Sequence, residues 1–216
     1  MKNKFLISAI TLITILFSSC GNHQAKEETA NTQNTVISKK GPKSVLIISS
    51  SPRRGGNSET LCLQFMKGAE ESKHKVEMLN LNDYDIKFFA KTEYERGESN
   101  DNDDAIQIIK KMAAADVIVL SSPVYFYSMT AQMKALIDRV YNYEKDLQNK
   151  EFYYIVTCTD KEKEALDGTI MGFRGFVRCL YNGQERGIVY GNGARERGTI
   201  DEKPAMKEAY EMGKNV

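Results

Sequence analysis

The chain has 216 residues, with 30 Lys and Arg against 29 Asp and Glu, and 27% of its residues are charged. A formal net charge of +1 gives no support for a nucleic-acid partner. Four cysteines, none in a Cys-x-x-Cys pair, supply neither a disulfide framework nor a metal site.

The first segment reads as a targeting signal. Lys2 and Lys4 form a basic start, and Phe5 to Phe17 is an apolar stretch too short for a comfortable membrane span. Leu16-Phe17-Ser18-Ser19-Cys20-Gly21 resembles a bacterial lipoprotein signal, with Phe17 where Leu is usual. The expectation is a signal peptide over 1–19, a lipid on Cys20 and a cell-envelope location anchored to a membrane. A short membrane anchor or an ordinary signal peptide is the competing reading. Loss of 1–19 removes Lys2 and Lys4 and no acid, taking the net charge from +1 to −1. Residues 20–42 contain no aromatic residue and read as a flexible tether. The remainder, 43–216, is of a size for one domain with a full core.

Val45–Ser49 predicts a buried strand. It runs into Ser51-Pro52-Arg53-Arg54-Gly55-Gly56-Asn57-Ser58, after which Leu61, Phe65 and Ala69 mark one face of a helix reaching about Ser72. A strand, a Gly-rich and hydroxyl-rich turn and a helix N-terminus make a phosphate cradle: unpaired N–H groups and a partial positive charge meet an anion. Ser51, Asn57 and Ser58 add polar donors, and Arg53 or Arg54 adds a full charge. Simple capping by Asn57 or Ser58 is the plainer alternative. The spacing fits neither the nucleoside-triphosphate loop nor the dinucleotide fingerprint.

Lys75–Leu81 predicts a second strand, and Asp101–Met112 a helix with acids first and Lys110-Lys111 last. Asp116–Leu120 predicts a third strand, apolar enough to be buried on both faces. It ends in Ser121-Ser122-Pro123-Val124-Tyr125-Phe126-Tyr127-Ser128, whose aromatics suit a flat heterocycle or, alternatively, core packing or a dimer contact. Met129, Met133, Leu136, Ile137 and Val140 have helical spacing. Phe152–Thr157 predicts a fourth strand, followed by a loop with Thr157, Cys158 and Thr159. Leu166, Ile170, Phe173, Val177 and Leu180 predict a helix, Gly187–Tyr190 a fifth strand, and Pro204 opens a last helix ending near Gly213. Five strands alternating with five helices imply a doubly wound α/β fold with a parallel sheet, whose ligand lies beyond the strand C-termini at the switch point.

The first loop, taken with the run from Asp116 to Arg139, resembles the NAD(P)H-dependent FMN reductase branch of the flavodoxin-like superfamily, which includes iron–sulfur flavoproteins. The resemblance covers about residues 43–214. It implies strand order 2-1-3-4-5 and non-covalent FMN. The phosphate falls at Ser51, Arg53, Asn57 and Ser58, and the ring and ribityl chain lie along Pro123, Val124, Tyr125 and Phe126, with Thr157 completing the site. It also implies a homodimer, NAD(P)H as a possible donor and a small-molecule electron acceptor. Ser50 stands where Gly is usual, which predicts a tighter approach to the phosphate. The segment 86–94 lacks the cysteines that relatives carry, so a cluster has no ligands there. Asp167-Gly168-Thr169 matches only the start of a flavin-transfer site, so covalent attachment is not expected.

No catalytic acid–base pair stands out, and no catalytic residue is assigned. His23 falls in the tether and His74 before the second strand. The favoured function is an FMN-dependent oxidoreductase. A membrane-tethered electron carrier with a protein partner, or a binding protein that lost catalysis, are the alternatives, because reduced nicotinamides are not expected outside the cytoplasmic membrane.

Overall fold

A computed structural model describes residues 41–96 and 103–216. The expected signal peptide, Cys20 and nearly all of the expected tether lie outside the described residues. So does Asp101, the expected start of the second helix.

The elements are β1 Ser44–Ser49, α1 Asn57–Glu71, β2 Lys75–Asn80, α2 Lys91–Arg96, α3 Ala105–Ala114, β3 Val117–Pro123, α4 Ala131–Arg139, β4 Glu151–Thr157, α5 Asp167–Cys179, β5 Gln184–Gly191 and α6 Pro204–Lys214. The five strands form one parallel sheet in the order β2-β1-β3-β4-β5, the flavodoxin-like order expected.

Alternate residues of the central strands feed two cores. Leu46, Ile48, Ile118, Leu120, Phe152 and Tyr154 pack with buried residues of α3, α4 and α5. Val45, Ile47, Val117, Val119, Tyr153 and Ile155 pack with those of α1 and α6. Such two-sided burial is why β3 reads as an unbroken apolar run. Phe65 of α1 is fully buried and meets Tyr153 edge-on at 5.2 Å. Burial of one such ring contributes about 1.5–3 kcal/mol.

Several boundaries differ from the sequence reading. Leu81 is not in β2, because the Asn80 side chain accepts from Asn82 N at 3.0 Å and turns the chain into a 3₁₀ turn. Met129 precedes α4, whose start is set by Thr130 Oγ1 accepting from Met133 N. The edge strand β5 begins three residues before Gly187; its exposed Glu185 and Arg186 hide the strand pattern. Helix α2 was not anticipated. Its Glu93 pairs at 2.6 Å with the buried guanidinium of Arg139, which also pairs with Asp103 ahead of α3. Glu93 Oε2 accepts from Ala90 N at 2.8 Å, so the same carboxylate starts the helix and anchors it.

Helices α1 and α6 cross with their backbones nearly touching. A Cβ on Gly213 would overlap the Phe65 carbonyl, and one on Gly68 would overlap the Tyr210 carbonyl. Two glycines at the crossing allow this approach.

Candidate functional site

Register places the site. Ser49 pairs with Ser121 across β1 and β3, so the loops after both strands leave the sheet side by side. Pro123 pairs with Thr157, which brings the end of β4 to the same rim. Between them lies an open cleft of about 150 Å³.

The first loop forms its floor. Gly55 has φ +62°, and a Cβ on Gly56 would press on Arg53 O at 2.9 Å and stand 3.5 Å from Ser51 Oγ. Glycine at both places thus lets the chain curl into a cradle. Ser51 Oγ accepts from Arg53 N and donates to Arg53 O, both at 3.3 Å. Ser51 O is held by Asn80 Nδ2 at 3.2 Å and Asn82 Nδ2 at 2.9 Å, two contacts that sequence reading missed. Strand order 2-1-3 puts the end of β2 beside the loop, and Asn-Leu-Asn at that end was the available signal.

The N-cap of α1 is Gly56, with no side-chain cap, so neither Asn57 nor Ser58 serves the simple capping role. Ser58 Oγ instead meets Thr157 Oγ1 at 2.6 Å, both residues being buried. Asn57 Nδ2 donates to Ala194 O at 3.0 Å and Glu196 O at 2.9 Å. These two carbonyls fix the amide orientation. Asn57 Oδ1 is buried with no hydrogen-bond partner among the described residues.

Only one of the two loop arginines faces the cleft. Arg53 lines it. Arg54 turns away to Asp83, with Glu59 at 3.7 Å, and the Asp83 contact raises its pKa further. Ser50 does not line the cleft. Its hydroxyl donates to Ser121 O at 3.0 Å, tying β1 to β3 rather than narrowing the cradle.

The second wall is Pro123, Val124 and Tyr125, with Val124 N donating to Thr157 O at 2.8 Å. Tyr125 and Ser128 exchange two backbone hydrogen bonds, at 2.9 and 3.0 Å. The two residues between them, Phe126 and Tyr127, have φ +49° and +61°. A two-residue turn with both central φ positive ordinarily takes Asn-Gly, so two aromatics there are held in strain. Phe126 is fully exposed and does not line the cleft; the other eight residues singled out from sequence do.

The third wall is Thr157, Cys158 and Thr159. Burial pushes the Cys158 thiol up, which disfavours its thiolate. Ala194, Arg195 and Arg197, after β5, complete the lining and were missed from sequence. Their position past a strand C-terminus was the available signal. The cleft is therefore lined by three arginines and by no acidic residue. A glycine cradle with this charge fits a phosphate monoester, and the neighbouring aromatic hairpin fits a flat ring system. Thr169 is fully buried within α5 and outside the lining, unsuited to covalent attachment. Among the described residues no cluster of His, Cys, Asp or Glu is arranged to hold a metal ion, and no helix is long and apolar enough to cross a membrane.

A model of the family described as NADPH-dependent FMN reductase matches residues 44–174. An iron–sulfur flavoprotein of Methanocaldococcus jannaschii is 37% identical over 97 residues, which are 44% of this chain and 50% of that protein. One from Archaeoglobus fulgidus is 33% identical over 95 residues, 43% of each. The chain spans about half the length of the curated relatives it matches. Among solved structures, NAD(P)H:quinone oxidoreductase from Methanothermobacter marburgensis has a TM-score of 0.66 at 17% identity, covering 81% of this chain and 96% of that one. Azoreductase from Bacillus anthracis str. Sterne has a TM-score of 0.62 at 14% identity, covering 81% and 100%. At such identities the likeness is one of fold. The family match runs from β1 into α5, including the first loop, the aromatic hairpin and Thr157, and the chain belongs to the family described as NADPH-dependent FMN reductase.

Proposed function

We propose that the chain holds FMN non-covalently in this cleft and passes electrons from NAD(P)H or a quinol to a small quinone-like acceptor. The observation that carries the reading is the cleft itself: three arginines and no carboxylate above a glycine cradle, with an aromatic hairpin alongside. The bound flavin would supply the hydride and electron chemistry. Arg53 and the first turn of α1 would neutralise the phosphate. Pro123, Val124 and Tyr125 would wall the ring, while Thr157 holds Ser58 in place from beneath. Phe126, outside the lining, would offer its exposed face to an aromatic acceptor or a second protomer.

An apolar groove of about 390 Å³ between α4 and α5, lined by Met129, Ile137, Val140, Phe176 and Leu180, supports a homodimer through this face. The lipid anchor on Cys20 and an envelope location belong to the same proposal; acyl labelling lost in Cys20→Ser tests them. Purified full chain is expected to retain or take up FMN, shown by a flavin spectrum. The bound flavin should bleach anaerobically with NADH, NADPH or a quinol analogue and recover on adding quinone. Failure both to retain and to take up FMN refutes the reading, and release of FMN on denaturation checks that it is non-covalent.

A further inference from the structure

We infer that the loop after β5 is the closing half of the phosphate site, that Arg195 and Arg197 contact the phosphate, and that Asn57 is a positioning residue which staples this loop shut. The inference rests on the FMN reading above.

Three successive carbonyls of the loop are held by side chains of the first loop. Asn57 Nδ2 takes Ala194 O and Glu196 O, and Arg53 Nη1 donates to Arg195 O at 3.0 Å. From the other side, Ala194 N donates to Cys158 O at 2.8 Å and Gly193 N donates to Asp160 O. The peptides that carry Arg195 are thus fixed from two walls of the cleft, while its side chain and that of Arg197 stay exposed at the mouth.

The charges of both are available. Among the described residues Arg195 pairs only with Glu196, at 3.6 Å between side chains 78% and 80% exposed, a pairing of little strength. Arg197 has no ion pair with any described residue. Arg53 spends one guanidinium nitrogen on the Arg195 carbonyl and keeps its charge. Asn57, by contrast, has its donor amide committed to the loop, so its contribution to an anion passes through the arginines it positions. Two arginines lining the cleft with the cradle match a terminal phosphate dianion, which riboflavin lacks.

The test compares FMN with riboflavin on the full chain, by quenching of flavin fluorescence. Wild type is expected to prefer FMN. The Arg195→Ala/Arg197→Ala double variant should weaken FMN binding about 10-fold or more while leaving riboflavin within about twofold. Asn57→Ala should weaken FMN in the wild-type background and have little effect once both arginines are gone, as expected of a residue acting through them. Wild type that binds no FMN overturns the FMN reading itself. Wild type that binds FMN while the double arginine variant keeps its FMN-to-riboflavin ratio overturns the loop inference alone. An Asn57→Ala effect that persists undiminished without the arginines overturns the positioning role. Both arginines are exposed, so their variant stays folded and informative whatever Asn57→Ala does to stability.

Discussion

The 2.6 Å contact between Ser58 Oγ and Thr157 Oγ1 joins the first turn of the cradle helix to the end of β4. Thr157→Val keeps the shape and removes the hydroxyl. Ser58 is 2% and Thr157 4% exposed, so water does not replace the lost partner. A buried hydroxyl left unpaired costs about 1–3 kcal/mol, whereas removing both partners leaves nothing unpaired. Thr157→Val and Ser58→Ala are each expected to destabilise by about 1–3 kcal/mol, and the double variant by at least about 1 kcal/mol less than their sum. Urea unfolding of flavin-free protein, followed by far-UV circular dichroism, gives all four stabilities; an unchanged slope with a shifted midpoint is the criterion. Strictly additive losses would refute the reasoning, because they would mean that the two hydroxyls do not satisfy one another.

Gly213→Ala places a Cβ against the Phe65 carbonyl and should destabilise by about 1–3 kcal/mol. Gly175→Ala in α5, with nothing within 4 Å of the new Cβ, should stabilise by about 0.5–1 kcal/mol; similar thermal shifts for the two variants would contradict the crossing geometry. Burial pushes the Cys62 thiol up to about 12 and raises that of Cys158, while Cys179 is exposed. In dilute, monomeric protein, iodoacetamide at pH 8 should therefore label Cys179 well before the other two, as read by peptide mass mapping; equal rates would be inconsistent with the burial. Glu151 is opposed by burial, but Lys43 at 2.8 Å and Arg186 at 2.9 Å pull its pKa below the ordinary value. A depressed carboxylate pKa stabilises above the unfolded value, about 4.3, and that stability is lost as pH falls through the folded value. Glu151→Gln should cost about 1–2 kcal/mol at pH 7 and much less near pH 3; a pH-independent deficit in urea unfolding would rule the linkage out.

What sequence revealed was what sits together in the chain. The first loop carries its serines, glycines and arginine within eight residues, and β1 and β3 announce themselves as apolar runs that stop at Ser-Ser or Ser-Ser-Pro. Arg195 and Arg197 lie some 140 residues from that loop and reach it only because β5 ends at the same rim. The choice between Arg53 and Arg54 depended on Asp83, a residue of the turn after β2. Helix α2 is anchored by a buried ion pair with α4, a tertiary effect invisible to local pattern. Phe126 belongs by sequence to the aromatic wall, but the positive φ at its position swings its ring outward.

The crossing of α1 and α6 also governs when the domain comes into being. The helix that forms the cradle leans on the last helix of the chain: Ser72 Oγ donates to Lys214 O at 2.6 Å, and Gly213 seats against Phe65. During synthesis the cradle helix can settle on the sheet before α6 is made, but the face it turns to α6 stays uncovered until then. Sheet order adds to the delay, since β1 must wait for β3 before its central position is filled. Packing around the cradle helix therefore completes late, because two of its supports come from segments far along the chain.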